Sequence, residues 1–365
     1  EQDNLIITCQ KNKELLDQGY RLDLVAISTQ DAQHKEHALY ALNRGYDLLL
    51  EKPVAITEKD CLEIYECAKK NNRRVYVCHV LRYTPFYSKI KEIIDEGTLG
   101  EIVNVHASEN VGYYHQAHSY VRGPWRNSGE SSPMILAKCC HDMDILRYLI
   151  GEKCVSVNSC GSLSYFKEEN APENAAAFCT DCPRKEDCAY NAQELYTKYV
   201  WPAGYFTKGA LTEENILRDL KYSPYDRCVF KCDNDVVDHQ STLLLFEKGK
   251  TAVHTMTAFS REIYRDIKIY GTKAELAGVM EKNLIEIRPF GGDPFKAEVN
   301  ASAASVGGHC GGDYYMMCQI WNDLNGIKGK GITYLDVSIE SHLMSFGAEK
   351  SRLHGGESCK IELVE

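Results

Sequence analysis

The stretch YDLLLEKPV, residues 46–54, decides the reading of the fold. Tyr46 to Leu50 is a short apolar run after Gly45, and such a run suits a strand covered on both faces. Pro53 fixes its own φ and pushes Lys52 towards an extended conformation. Lys52 is therefore expected at the carboxyl end of a buried parallel strand, the edge where open α/β sheets bind ligands. A surface lysine after a strand is the plain alternative, and the surrounding sequence decides between them.

Around this stretch, strand and helix alternate. Residues 13–19 read as a short helix, LDLVAIS (22–28) as a buried strand, and HKEHALYALNRG (34–45) as a helix stopped by Gly45. TEKDCLEIYECAKKNN (57–72) is a helix opened by Thr57 with Asp60 three positions on, a weaker form of the capping box. RVYVCHV (74–80) is the next strand and 84–96 the next helix. This order predicts a parallel α/β sheet with right-handed crossovers.

After Gly100 the pattern changes. A strand at 101–109 leads into a polar and aromatic loop reaching about residue 132, and PMILAKCCHDMDILRYLIG (133–151) reads as one helix from Pro to Gly. Strands follow at 153–163, 234–247, 250–259, 264–271, 274–280 and 283–288, joined in part by hairpin turns such as Glu247–Lys250. Helices at 312–326 and 336–354 and a strand at 359–364 end the pattern. The expected architecture is α/β plus α+β: a truncated parallel-sheet domain (1–98), a domain with a large open, mainly antiparallel sheet (99–335) carrying an insertion at 165–232, and a closing helix and strand (336–365).

The 365 residues suffice for two domains. Net charge −10 with scattered basic residues argues against a nucleic-acid surface. No apolar stretch is long enough to span a bilayer. Most of the sixteen cysteines are dispersed through strands and helices, as expected of a reducing, cytoplasmic compartment. A parallel sheet of this kind normally opens with a strand and a Gly-rich turn for a pyrophosphate. The only Gly-rich stretch is GGHCGGD (307–313), far downstream of any βαβ strand. Either the chain is a fragment or the first mononucleotide-binding half is not represented.

STQDAQH (28–34), EKP (51–53) and CHDMDIL (140–146), with Glu51 about 90 residues before His141, resemble the glucose-fructose oxidoreductase, inositol dehydrogenase and MocA family. The resemblance runs from about residue 10 to the end. It implies a Rossmann-type first domain, a nicotinamide cofactor (NAD or NADP), and redox chemistry at a sugar or polyol carbon. It further implies cofactor contacts at Ser28, Thr29, Gln30, His34, Glu51, Lys52, Trp125 and Arg126, and association as a homodimer or homotetramer through the large sheet.

The chemistry fits those residue types. Taking hydride from a secondary alcohol also requires removal of the hydroxyl proton, and charge develops on that oxygen. A fixed Lys52 can stabilise it, and His141 can take or relay the proton. Family members often carry Asp one helical turn before this histidine; here the position is Ala137, with Lys138 beside it. Asp144 completes the His-x-x-Asp pattern and reads as structural. The loop YYHQAHSYVRGPWRNS (113–128) offers His118 and Arg122 to a sugar, and Lys138, His239 and His309 are the other expected substrate contacts.

FCTDCPRKEDC (178–188) places Cys179, Cys182 and Cys188 in C-x2-C-x5-C spacing, within a long stretch of little regular structure. A structural zinc would tie it down, with Cys228 or Cys232 as fourth ligand; free thiols, a disulfide or an iron-sulfur cluster are the alternatives. Three functional readings follow: reversible oxidation of a carbohydrate hydroxyl, NAD-dependent glycoside cleavage by oxidation, elimination, hydration and reduction, or a non-catalytic carbohydrate-binding scaffold.

Overall fold

The structure, a computed structural model, describes residues 5–8, 24–329 and 331–362. The helix expected at 13–19 lies outside the described residues. The first sheet is parallel, in the order β1 (Leu5–Thr8), β2 (Leu24–Ile27), β3 (Leu48–Leu50), β4 (Val75–Val77). Helices α1 (His34–Leu42) and α2 (Glu58–Asn71) make the crossovers. The Thr57 side chain accepts from the Asp60 amide, so the cap read from the sequence forms. Then α3 (Pro85–Asp95) leads to the second domain.

That domain is a nine-stranded sheet built from β5 (Ile102–Asn110), β6 (Cys154–Ser162), β7 (His239–Phe246), β8 (Thr251–Thr257), β9 (Tyr264–Gly271), β10 (Ala274–Val279), β11 (Leu284–Pro289), β12 (Phe295–Ala297) and β13 (Cys359–Lys360). Its order is β12-β11-β10-β9-β5-β8-β7-β6-β13. Neighbours are antiparallel except β5 and β8, which pair in parallel at the centre. The helix expected over 133–151 is two pieces: a turn at Met134–Ala137 and α4 (Cys140–Ile150). The insertion between β6 and β7 carries α5 (Ala192–Lys198) and α6 (Glu213–Leu220), too short to stand out by period. Two longer helices, α7 (Gly312–Leu324) and α8 (Leu335–Leu353), return to the first sheet.

This return buries β3 on both faces. Leu48 and Leu50 pack with α1, α2 and residues of α8, while Leu49 packs with Tyr76, Met316 and Ile320 on the α7 side. Thr333 extends the sheet at β4: the Val77 amide donates to its carbonyl at 2.8 Å. The glycines of 307–313 serve this packing. Gly311 adopts φ +90°, and a Cβ on Gly312 would stand 2.5 Å from the Val80 carbonyl, so the loop seats α7 directly against the chain after β4.

α8 also ties the domains together. The Val54 amide donates to His342 Nε2 at 2.9 Å, and His342 Nδ1 lies 2.9 Å from the Ser338 carbonyl. An Nε2 that accepts and an Nδ1 that donates define one neutral tautomer. Asp144 of α4 is bound by both Nε and Nη2 of Arg82 at 2.6 Å, both residues being buried, which bears out its structural reading.

Burial lowers the pKa of His342 to about 4 and that of His79 to about 3. The unfolded chain protonates these groups below about 6.5, whereas the folded chain keeps them neutral. Their contribution to stability is therefore complete above that pH and is lost as pH falls towards the folded values. The urea midpoint is expected to be lower at pH 5 than at pH 7.5, and His342→Gln to flatten the difference. Equal midpoints in the parent protein would contradict this.

Candidate active site

Lys52 follows β3 directly, at the carboxyl edge of the parallel sheet. Its Nζ donates to the Ala137 carbonyl at 2.9 Å, across the two domains. That carbonyl ends the Met134–Ala137 turn, where the helix is broken over Lys138 and Cys139 before α4 begins. A carbonyl at a helix end needs a partner from elsewhere, and the Lys52 ammonium supplies it. His141 stands in the first turn of α4.

Four histidines gather here from four elements. The His141 ring lies 5.7 Å from His79 after β4 and 6.3 Å from His309 before α7, and His79 lies 5.5 Å from His342. His141 is 5% exposed and its Nδ1 has no hydrogen-bond partner. Burial, and then the Lys52 charge, holds it well below the ordinary histidine range. It is a neutral imidazole at physiological pH, able to accept a proton.

Beneath this cluster lies a chain of buried charges. Glu109 on β5 and Arg265 on β9 are direct cross-strand partners, with the Arg265 Nη2 2.5 Å from Glu109. Lys138 Nζ lies 3.5 Å from the other Glu109 oxygen, and Arg265 Nε donates to Asp142 at 2.9 Å. Burial lowers the Lys138 pKa, with Glu109 opposing. Ligand atoms of Cys139, Asp142 and His254 lie within 4.8 Å of one another, but the Arg265 guanidinium already neutralises Asp142, which disfavours a cation there. The pattern could have signalled this chain: Glu109 shares its strand face with Val105, and Arg265 with Ile267 and Ile269, all buried.

The other expected residues divide. His34 holds the loops together, with Nδ1 2.7 Å from the Pro53 carbonyl and Nε2 3.0 Å from that of Thr29. Ser28 and Gln30 are exposed at the end of β2, with Thr29 and Glu51 partly so. Trp125 donates from Nε1 to Asp31 at 3.1 Å, linking the second domain to this edge. Arg126 instead faces the insertion, where Asp233 takes its Nε and Nη2 at 2.8 Å. Two expected substrate contacts are corrected. Arg122 is buried beneath the insertion on the carbonyls of Arg227 and Tyr190. His118 is stacked on Tyr225 with ring centres 4.6 Å apart and hydrogen-bonded to the Tyr196 hydroxyl. Both are taken up by these contacts because the insertion covers the loop. His239 is half-exposed and bound to Asp238, whose buried carboxylate also accepts from the Ser164 and Tyr165 amides, so the inward member of that pair is a structural cap. The histidines His79 and His342, and Glu109 with Arg265, were not among the expected site residues.

Residues 2–79 match the model of an oxidoreductase family with an NAD-binding Rossmann fold, and residues 91–291 match the C-terminal α/β domain of that family. The chain belongs to this family, that of glucose-fructose oxidoreductase, inositol dehydrogenase and MocA. The putative oxidoreductase YteT of Bacillus subtilis is 27% identical over 266 residues, which is 70% of this chain and 59% of that protein. Inositol 2-dehydrogenase 2 of Saccharopolyspora erythraea is 29% identical over 140 residues, 38% of each chain. The chain thus spans less than two thirds of the length of these curated relatives. A levoglucosan dehydrogenase solved in complex with NADH shares the fold, with TM-score 0.69 at 17% identity over 97% of this chain and 84% of that one.

The edge formed by Ser28–Gln30, Glu51 and Lys52 fits the family's cofactor: exposed polar groups line the carboxyl ends of β2 and β3 beside a fixed cation.

Glu109→Gln would leave Lys138 and Arg265 without the buried anion between them. Removing one member of such a network costs about 3–5 kcal/mol, measurable as a drop in unfolding free energy in urea. A change below about 0.5 kcal/mol, the level of ordinary surface substitutions, would contradict the pairing.

Proposed function

We propose that this chain carries the active site of a nicotinamide-dependent oxidoreductase that transfers hydride from a hydroxyl-bearing carbon of a sugar, polyol or glycoside. The observation that carries the reading is the juxtaposition of Lys52, fixed at a parallel-strand end by Ala137, with the buried neutral His141. When bound, the nicotinamide supplies the hydride acceptor. The protein's share is the proton and the charge: the Lys52 ammonium donates to the substrate oxygen as negative charge develops, and His141 takes the hydroxyl proton. Ser28–Gln30, His34, Glu51 and Lys52 form or support the cofactor edge, Trp125 abuts it through Asp31, and His309 flanks His141 where a carbohydrate would lie.

One observation favours a second reading. Lys138 is a mostly buried amine with a lowered pKa close to the same site. Such an amine can remove a proton next to a transient ketone, the step that glycoside cleavage by oxidation and elimination requires. Steady turnover separates the two, since net oxidation accumulates reduced nicotinamide and the cleavage route does not.

No helix of the described residues is long and apolar enough to cross a membrane. The described cysteines are free thiols, which supports a reducing, cytoplasmic setting. Leu243 and Leu245, 48% and 41% exposed on β7, support association of two or four copies through the open face of the large sheet.

Lys52→Met is expected to lower kcat by about 100- to 10,000-fold with cofactor affinity changed much less, measured against a panel of polyols and glycosides. With His141 held neutral, kcat/KM for oxidation stays level as pH falls through 6.5 and declines only below it, while His141→Ala removes that limb. An unaltered kcat in Lys52→Met would overturn the assignment.

A further inference from the structure

Beneath the insertion lies a fully buried positive charge with no carboxylate among its partners. Arg122, 1% exposed, donates from Nε to the Arg227 carbonyl and from Nη2 to the Tyr190 carbonyl, each at 2.7 Å, and from Nη2 to the Cys179 sulfur at 3.4 Å. Its Nη1 is buried without a partner. A guanidinium taken out of water is stable only beside an anion or a full set of acceptors. The cavity it lines, about 20 Å³, is also lined by Cys179, Cys182, Cys188 and Cys228, with Arg184 and Lys185. That volume holds about one water-sized sphere.

The backbone brings these cysteines from two distant segments. Cys179 and Cys228 lie on either side of a short antiparallel bridge between Phe178 and Arg227: the Cys179 amide donates to the Asp226 carbonyl at 2.7 Å and the Cys228 amide to that of Ala177 at 2.8 Å. The Asp226 carboxylate secures the bridge through the Thr180 amide and hydroxyl. Cys182 returns on the knuckle turn, its amide 3.2 Å from the Cys179 carbonyl, and Cys188 follows a second turn at Lys185–Asp187. Cys232 does not line the cavity; its thiol meets the Cys228 carbonyl at 3.3 Å.

We propose that Cys179, Cys182, Cys188 and Cys228 form a four-thiolate centre for a single tetrahedral metal ion of the zinc type, with Arg122 as its buried counter-charge. Four thiolates on a divalent ion leave net negative charge, which Arg122, Arg184 and Lys185 offset. No three of these four sulfurs lie within 4.8 Å of one another, so binding requires several side chains to rotate to the roughly 3.8 Å spacing of a tetrahedron with Zn–S of about 2.3 Å. With all four positions filled by sulfur the centre is structural. It fastens the insertion onto the turn Gln116–Arg122, and with it the cover over His118. It does not depend on the redox reading.

The test is metal analysis of the full chain purified without chelator or immobilised metal. About one zinc per chain is expected, retained in Cys232→Ser and lost in Cys188→Ser and Cys228→Ser. Should those variants fail to fold, the parent protein decides. A chelator should release its zinc and lower its melting temperature, and cobalt in its place should give the visible bands of a tetrahedral thiolate site. Iron with sulfide would overturn the single-ion centre. Zinc lost from Cys232→Ser but kept in Cys228→Ser would overturn the ligand set. A metal-free folded protein with all four thiols open to a thiol reagent, unaffected by chelator, would overturn the proposal altogether.

Discussion

The rest of the candidate site depends on one contact, that between the Lys52 ammonium and the Ala137 carbonyl at 2.9 Å. It joins the parallel-sheet domain to the large-sheet domain at the point where both present their functional groups. It exists because a helix is broken. An unbroken helix over 133–151 would direct the Ala137 carbonyl to its own fourth-following amide. The break frees that oxygen to accept a cation instead. The same break brings Lys138 towards Glu109 and starts α4 so that His141 and Asp142 fall in its first turn.

Around this contact, burial sets the chemistry. Removing water favours neutral forms of bases and strengthens every remaining charge interaction. His79, His141 and His342 are neutral for that reason, while Arg265 bridges the Glu109 and Asp142 carboxylates. The site thus separates its roles. Ion pairs hold geometry underneath, and uncharged imidazoles gather beside one ammonium.

The sequence showed the parts of this that rest on local rules. Both sheets, the position of Lys52 and the cap at Thr57 followed from period, turn residues and proline. The cysteine spacing pointed to the residues that share one cavity, although the choice between Cys228 and Cys232 needed the fold. What stayed hidden depends on distant pairing. Glu109 and Arg265 sit 156 positions apart, and only the register of β5 against β9 makes them partners. His118 and Arg122 looked available because their loop is polar; the insertion that covers them comes some 60 or more residues later. The helix over 133–151 had the right caps at both ends, and its interruption answers a lysine 85 residues away.

The most direct test of the account is calorimetric titration of the folded full chain with NAD, followed by absorbance at the reduced-nicotinamide band on adding candidate polyols and sugars. The account predicts saturable binding of one dinucleotide per chain, and nicotinamide reduction that depends on Lys52. A protein that is folded, binds a carbohydrate and shows no affinity for NAD or NADP would contradict it. The same residues would then belong to a carbohydrate-binding scaffold rather than an active site.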